Sequence, residues 1–456
     1  MICLPSIVLI DDTKEDLDEI QSSLVQAGYP CFPIHYKKDE PDNISGIDHV
    51  KIEMINPRVI ITDLNLQELQ VDAVKLVGPI VEVLKKLVTE GPYLLYFWSK
   101  NASTVERVME LISDRYSDLN FPLSWGVLDK TEFKFKTQEL TDKVAKLFSE
   151  NPMFNALFSW ENRVSVAAQN TVDSLFKLAK PAEINGITQF QSETTTNLQK
   201  MLAVIGNETI GVKNAKEEPE VAIELGLEPV LYDHIQANYE NIDRATWLDA
   251  AEGIGARLSA EKSVKASLNS FYHVEELGDD SPKNKRGSWI ELNHDYFGDT
   301  KNNAKIQQNL GRNIKTLINE EFLDSDQGTK LTRADAHEAT KLGFLELSAE
   351  CDQAQRKTKL NKYFLSAMIP LEFEKFTKFR KDASDTKHAG IYRVPNVMIN
   401  GKEYIIKVSF LYQVGSIPDV SKWLGKPVFR LKNQILSDIS FKASQHATRP
   451  GIIRFD

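Results

Sequence analysis

The first third of the chain alternates short apolar runs with stretches in which apolar residues recur every three or four positions. The runs "SIVLI", "CFPIH", "RVIIT", "YLLYFW" and "PLSWGVL" predict five strands; "SIVLI", "RVIIT" and "YLLYFW" are typical of buried strands, and "CFPIH" is a weaker signal. Helical spacing follows each run; Val74, Val77, Val81 and Leu84 show it after the third, and a short helix is predicted around residues 47–55. Five strands alternating with five helices predict a doubly wound parallel α/β domain.

The pattern changes at about residue 150. Residues 151–180 place apolar side chains mostly on one helical face and predict a long packing helix, with further helices to about residue 275. The stretch "LGDDSPKNKRGSW" at 277–289 has the composition of a loop, and residues 302–322 read as another helix. We therefore expect a mostly helical region between the α/β domain and the C-terminal part.

Strand patterns predominate from about residue 331. Residues 342–370 predict a strand, a turn and a second strand, and Asn400-Gly401 is a strong signal for a hairpin turn. The predicted domains are therefore an α/β domain at 1–150, a mostly helical region at 151–328 and a C-terminal α+β domain at 329–456.

Composition narrows the class of protein. The chain has 456 residues, of which 42% are hydrophobic and 26% charged, as in ordinary globular proteins. The net charge of −10 argues against a general nucleic-acid or anionic-membrane binder. Three cysteines without metal-site spacing fit a reducing compartment, and no apolar run approaches the roughly 20 residues of a membrane helix. Since the N-terminus also lacks signal-peptide features, we expect a cytoplasmic protein.

Polar residues with chemical potential follow four of the five strands. Asp11 and Asp12 follow the first strand, Asp63 the third, Ser99 the fourth and Lys130 the fifth. In a doubly wound sheet, ligands bind beyond the carboxyl ends of the strands, so we expect these side chains to share one edge. Taken singly, each is also typical of a turn, a helix cap or a solvated surface. It is their joint occurrence that indicates a site.

The residue types at this edge suit phosphoryl chemistry. Three carboxylates repel one another unless a divalent cation lies among them, and Mg²⁺ prefers oxygen ligands. Lys130 can pair with an anion bound to that metal, and the Ser99 hydroxyl can donate a hydrogen bond to one of its oxygens. The set therefore predicts a carboxylate that attacks a phosphoryl group and holds it as an aspartyl phosphate.

The stretches "IVLIDD", "VIITDLNL", "LLYFWSK" and "GVLDKTEF" resemble the receiver domain of two-component response regulators over residues 1–150. The resemblance implies a CheY-like, flavodoxin-like sheet and a histidine kinase as phosphodonor. It implies that Asp63 is the phosphoacceptor, and that Asp11, Asp12, Asp63 and the backbone carbonyl of Asn65 hold Mg²⁺.

By the same resemblance Ser99 is the switch hydroxyl and Lys130 the cation that pairs with the phosphate. The chain departs from the family pattern nearby. The Asp63 loop "DLNLQELQ" lacks the usual proline and glycine, Thr131 replaces a proline, and Lys100 stands where a small residue is common. The chain keeps the acidic cluster of the family but lacks several residues of its usual output face. This combination favours a receiver that stores phosphate over one that dimerises on DNA.

Three functions remain open. The chain resembles receivers joined to uncharacterised regions in bacterial defence operons, which implies an antiviral phosphate buffer that keeps a second receiver-effector protein inactive. Alternatively, phosphorylation unmasks an output enzyme centred on Cys351, with His446 or His337 as base and Asp352 nearby. The third possibility is a pseudo-receiver that acts as a binding module without accepting phosphate.

Overall fold

The computed structural model describes eleven segments of the chain. They are residues 6–37, 46–51, 57–67, 72–88, 90–133, 136–237, 243–256, 261–324, 329–355, 357–378 and 390–448. The chain divides into two compact units, the first containing residues 1–177 and 230–256 and the second residues 178–229 and 257–456.

The described strands form two separate sheets. In chain order they are β1 Ile7–Asp11, β2 Cys31–His35, β3 Val59–Thr62, β4 Leu94–Ser99, β5 Ser124–Asp129, β6 Val274–Glu276, β7 Ser288–Leu292, β8 Lys341–Glu346, β9 Asn361–Pro370, β10 Ile391–Arg393, β11 Val397–Ile399, β12 Lys402–Ser416 and β13 Leu424–Leu431.

The described α-helices alternate with the strands of the first sheet, follow one another in the middle of the chain, and lie between and after the strands of the second sheet. They are α1 Lys14–Gln26, α2 Ala73–Leu87, α3 Ala102–Arg115, α4 Lys130–Phe133, α5 Thr137–Ser149, α6 Pro152–Ala179, α7 Ile187–Ile210, α8 Val212–Glu217, α9 Pro219–Ala237, α10 Arg244–Ala250, α11 Lys262–His273, α12 His294–Gly298, α13 Thr300–Leu310, α14 Ile314–Leu317, α15 Lys330–Ala339, α16 Glu350–Ala354 and α17 Asn433–Ala447.

The first sheet is parallel, with strand order β2-β1-β3-β4-β5. This is the flavodoxin-like order, so the predicted doubly wound α/β fold is confirmed and the architecture is compatible with a CheY-like domain. The helix predicted around residues 47–55 falls partly outside the described residues, and its described part, 47–51, forms turns and a bend.

The central strands β1, β3 and β4 are buried along their whole length and almost entirely apolar, because both of their faces are covered, whereas the edge strands β2 and β5 are only partly buried. Val8 and Ile10 of β1 belong to the core that contains α2 and α3, whereas Ile7 and Leu9 belong to the core that contains α1 and α5. Successive strand residues point to opposite faces, so a fully buried strand needs an unbroken apolar run. Burying one such side chain contributes about 1.5–3 kcal/mol.

The second sheet is antiparallel, with order β10-β12-β9-β8-β7-β13-β6 and β11 paired with β12. The hairpin predicted at Asn400-Gly401 is confirmed, with φ of 48° and 71° at the two residues. Trp289 of β7 anchors the sheet: its ring stacks on Phe429 at 5.3 Å, and its Nε1 donates to Ser366 Oγ at 3.0 Å.

Two features differ from the sequence-based expectation. β7 begins within the stretch expected to be a loop, because its partners β8 and β13 are distant in sequence and local pattern does not reveal them. The single helix expected at 302–322 is interrupted at Gly311, which adopts φ of 72° and ends α13. The chain then resumes as α14 and a π-helical turn at Ile318–Phe322.

The predicted long helix is confirmed as α6. Within the described parts of the chain, no helix combines the length and apolar character needed to cross a bilayer.

Candidate functional site

Asp11 and Asp63 lie side by side because β1 and β3 are parallel neighbours. β1 ends at Asp11, β3 ends one residue before Asp63, and Ile10 pairs with Thr62 in the register. The backbone N–H of Asp63 donates to the carbonyl of Ile10 at 2.8 Å. Since β1 separates β2 from β3, this edge is where the strand order reverses, which is the position of ligand sites in open α/β sheets.

Asp11, Asp12 and Asp63 form a buried acidic cluster. One carboxylate oxygen from each lies within 4.8 Å of those from the other two. The exposed fractions of the three residues are 1%, 8% and 8%. The backbone N–H of Thr13 donates to Asp11 Oδ1 at 2.8 Å and fixes that side chain. Oxygen donors gathered in this way suit a hard divalent cation, so the cluster can hold a metal ion.

Lys130 brings a positive charge to this cluster. It is the first residue of α4, directly after β5, and only 5% of its surface is exposed. Its Nζ donates to Asp11 Oδ2 at 2.8 Å and to Asp16 Oδ2 at 3.0 Å, and lies 3.4 Å from Asp63 Oδ1. The structure therefore places Lys130 together with Asp11 and Asp63, as expected from the strand ends.

Burial and the neighbouring charges have opposite effects on the pKa values of the ionisable groups in the cluster. Burial raises the pKa of Asp11 to about 6, and the Lys130 ammonium only partly opposes this effect. Burial likewise raises the pKa of Asp63 against the opposing influence of Lys130. Burial alone would lower the pKa of Lys130, but the carboxylates of Asp63 and Asp11 outweigh it and raise the pKa. The lysine therefore stays charged, while Asp11 can exchange a proton for a metal ion.

Asp16 is the site residue that sequence reasoning missed. It lies in the first turn of α1, is 9% exposed, and accepts a hydrogen bond from Lys130. The available signal was its position on the buried face of α1, beside Leu17 and Ile20. A buried carboxylate needs a partner, and the partner here, Lys130, follows β5, which is distant from α1 in sequence.

Ser99 ends β4, the strand next to β3, and therefore reaches the same edge of the sheet as Asp63. It is 1% exposed, and its Oγ accepts a hydrogen bond from the backbone N–H of Asn101 at 3.2 Å. The neighbouring Lys100 is exposed. A switching role for the Ser99 hydroxyl stays a prediction.

Asn65 lies in the loop that follows Asp63. Its neighbours Leu64 and Leu66 are 0% and 1% exposed and belong to the core on the α2 side of the sheet. The loop is therefore held at both sides of Asn65. The part that its backbone carbonyl plays in metal binding stays a prediction.

The C-terminal candidates lie in the second unit, on different helices. Cys351 is exposed on α16, and its thiol donates to Asp352 Oδ1 at 3.8 Å. His446 lies near the end of α17, with its ring 6.0 Å from that of Phe410. Burial lowers the pKa of His337, which is in α15. Among the described residues no hydrogen bond joins the thiol to either imidazole, so the Cys351 hypothesis gains no geometric support.

A scan of the chain against protein-family models finds no match, and a search of curated proteins finds no significant relative.

Proposed function

We propose that this chain is a phosphotransfer protein that accepts a phosphoryl group on Asp63 from the phosphohistidine of a partner histidine kinase. The observation that carries the proposal is the Lys130 ammonium, 3.4 Å from Asp63 Oδ1 and beside a cluster of three buried carboxylates. A buried carboxylate with a cation within contact distance and a metal-binding cluster around it has the parts that phosphoryl transfer to an aspartate requires.

In the proposed reaction, a carboxylate oxygen of Asp63 attacks phosphorus as the P–N bond to the donor imidazole breaks. The electron pair of that bond leaves with the imidazole, which takes up a proton, and an acyl phosphate forms on Asp63. Mg²⁺ bound to Asp11, Asp12 and Asp63 would supply charge neutralisation for the phosphoryl oxygens. Lys130 pairs with one of these oxygens, and the Ser99 hydroxyl donates a hydrogen bond to another.

The proposal extends to the storage of phosphate in a cytoplasmic two-component pathway. Its basis is the sequence resemblance to receivers of bacterial defence operons, and in particular to the response regulatory protein of the Detocs anti-phage system. In that role the chain drains phosphoryl groups that leak from the kinase, so that a separate receiver-effector protein stays inactive without infection. A long-lived acyl phosphate would support storage, whereas rapid hydrolysis would indicate a fast-resetting switch.

The test is the mass of the intact protein after incubation with acetyl phosphate and Mg²⁺. We expect one added phosphoryl group on the wild type and none on Asp63→Asn, with the same fold by circular dichroism. Asp18→Asn serves as a matched control, because Asp18 is an exposed aspartate on α1. An unmodified wild type, with acetyl phosphate and with any co-encoded kinase, would refute the proposal and favour the pseudo-receiver.

A further inference from the structure

The ammonium of Lys130 has one more carboxylate neighbour than the metal cluster accounts for. The cluster contains Asp11, Asp12 and Asp63, whereas Lys130 contacts Asp11, Asp63 and Asp16. An ammonium group has three N–H donors, and three carboxylate oxygens lie within 3.4 Å of this one. Asp16 thus forms an ion pair with Lys130 and is not one of the three carboxylates that can hold the metal.

We infer that Asp16 is a positioning residue, which keeps Lys130 beside Asp63 when a divalent cation occupies the acidic cluster. The inference rests on the proposed phosphotransfer function and adds a residue to it.

Charge explains why the lysine needs this contact. Asp11 is shared, since it is a candidate metal ligand and also the closest partner of Lys130, at 2.8 Å. A cation bound to Asp11 draws on the same carboxylate and repels the ammonium. Asp16, at 3.0 Å from Nζ, is the contact that remains with the lysine. Lys130 is therefore held at a position from which it can meet an incoming phosphoryl group.

Packing alone does not explain an aspartate at this position. Leu17, Ile20 and Leu24 on the buried face of α1 are apolar, and an apolar residue at position 16 would pack on the same face without the cost of burying a charge. The carboxylate is accommodated because Lys130 meets it, and both residues are nearly buried, at 9% and 5% exposure. An ion pair in these surroundings is screened little by salt.

The test separates a positioning role from a metal-binding role. The rate of phosphorylation by acetyl phosphate is measured over a range of Mg²⁺ concentrations for the wild type, Asp16→Asn and the exposed control Asp18→Asn. We expect Asp16→Asn to lower the rate at saturating Mg²⁺ about tenfold, since misplacing a reacting group by about 1 Å can cost up to about 100-fold. The Mg²⁺ concentration for half-maximal rate should change by less than about twofold, because Asp16 is outside the metal cluster.

A double-mutant cycle shows whether Asp16 acts through Lys130. If it does, Asp16→Asn combined with Lys130→Ala is no slower than Lys130→Ala alone, to within about twofold. If the rate loss of the double variant equals the product of the losses of the two single variants, the inference is overturned. A rate of Asp16→Asn equal to that of the wild type would overturn it too. A large shift in Mg²⁺ dependence without a loss of maximal rate would assign Asp16 to the metal instead.

A further variant keeps the test valid if Asp16→Asn folds poorly. Asp16→Glu retains the charge but moves the carboxylate, and we expect its maximal rate to fall below that of the wild type while its Mg²⁺ dependence stays unchanged. A maximal rate equal to that of the wild type would count against a positioning role. The two proposals fail differently: a wild type that takes up no phosphoryl group refutes both, whereas a phosphorylated wild type that is indifferent to Asp16 refutes only this one.

Discussion

Asp11 and Lys130 are joined by a buried ion pair of 2.8 Å, although the strands that precede them are not neighbours in the sheet. β1 and β5 are separated by β3 and β4, so the long lysine side chain reaches across the edge of the sheet to the acidic residues. This ion pair links the first and last strands of the domain in chain order. Removing one partner of such a pair leaves an uncompensated charge in the interior.

Replacing Lys130 should therefore destabilise the first unit. We expect Lys130→Ala to lower the local free energy of unfolding by about 3 kcal/mol, the usual scale for breaking a buried ion pair. Hydrogen exchange of the amides in β1 and β3 measures this free energy. Added Mg²⁺ should restore part of the loss, because a bound cation supplies the missing positive charge. Lys100→Ala, at an exposed lysine near the site, should be indistinguishable from the wild type.

Replacing Asp12 should weaken metal binding more than stability. Asp12→Ala removes one of the three clustered carboxylates, and a unit-charge contact of about 4 Å at an effective dielectric constant of about 20 is worth about 4 kcal/mol. After allowance for solvent and rearrangement, we expect the Kd for Mg²⁺ to rise at least about tenfold. Titration calorimetry gives the Kd, with Asp18→Ala as the exposed control. An unchanged Kd would place the metal elsewhere.

Metal binding should release protons in a defined pH range. Burial raises the pKa of Asp11 to about 6 from 3.8, so without metal the folded state holds a proton there that the unfolded state has lost. The contribution of Asp11 to stability consequently falls as pH rises from about 4 to about 6.

Mg²⁺ competes with the same proton. At pH 6 we expect binding to release about half a proton from Asp11, and close to none at pH 8. Calorimetry in two buffers with different ionisation enthalpies measures the number released. Asp11→Asn should lower the release at pH 6, and equal release at both pH values in the wild type would contradict the assignment.

The second unit offers a test of packing that is independent of the acidic cluster. A Cβ added to Gly343 would lie 2.6 Å from the carbonyl oxygen of Ile290 and 2.5 Å from the ring of Trp289. Gly343→Ala should therefore destabilise this unit by about 1–3 kcal/mol, the usual cost of overpacking. Gly278→Ala is the matched control, since nothing lies within 4 Å of the added methyl group there. Hydrogen exchange of β7 and β8 should show faster local opening in the first variant only.

The first sheet and its helices could be largely predicted from the sequence because their signals are local. The central strands β1, β3 and β4 are nearly continuous apolar runs, and polar site residues stand at or just after their carboxyl ends. Asp11, Asp63 and Lys130 could thus be placed at one edge before any geometry was known, and the structure brings them together.

The features that were missed depend on contacts between distant parts of the chain. Asp16 is paired with Lys130, and no pattern near either residue specifies that pairing. Strand β7 is stabilised by β8 and β13, which follow it at long and different sequence separations. Side-chain reach and strand pairing of this kind are properties of the folded chain and leave little trace in local periodicity.

The loop after Asp63 is held by side-chain packing, where a proline would act by restricting the backbone. Leu64 and Leu66 are both buried, one on each side of Asn65. A backbone constraint persists when a core loosens, but a constraint made by side chains lasts only as long as their contacts. The geometry around Asp63 therefore depends on the packing of the core beneath it. Warming or mild denaturant should slow the phosphorylation of Asp63 before the domain unfolds.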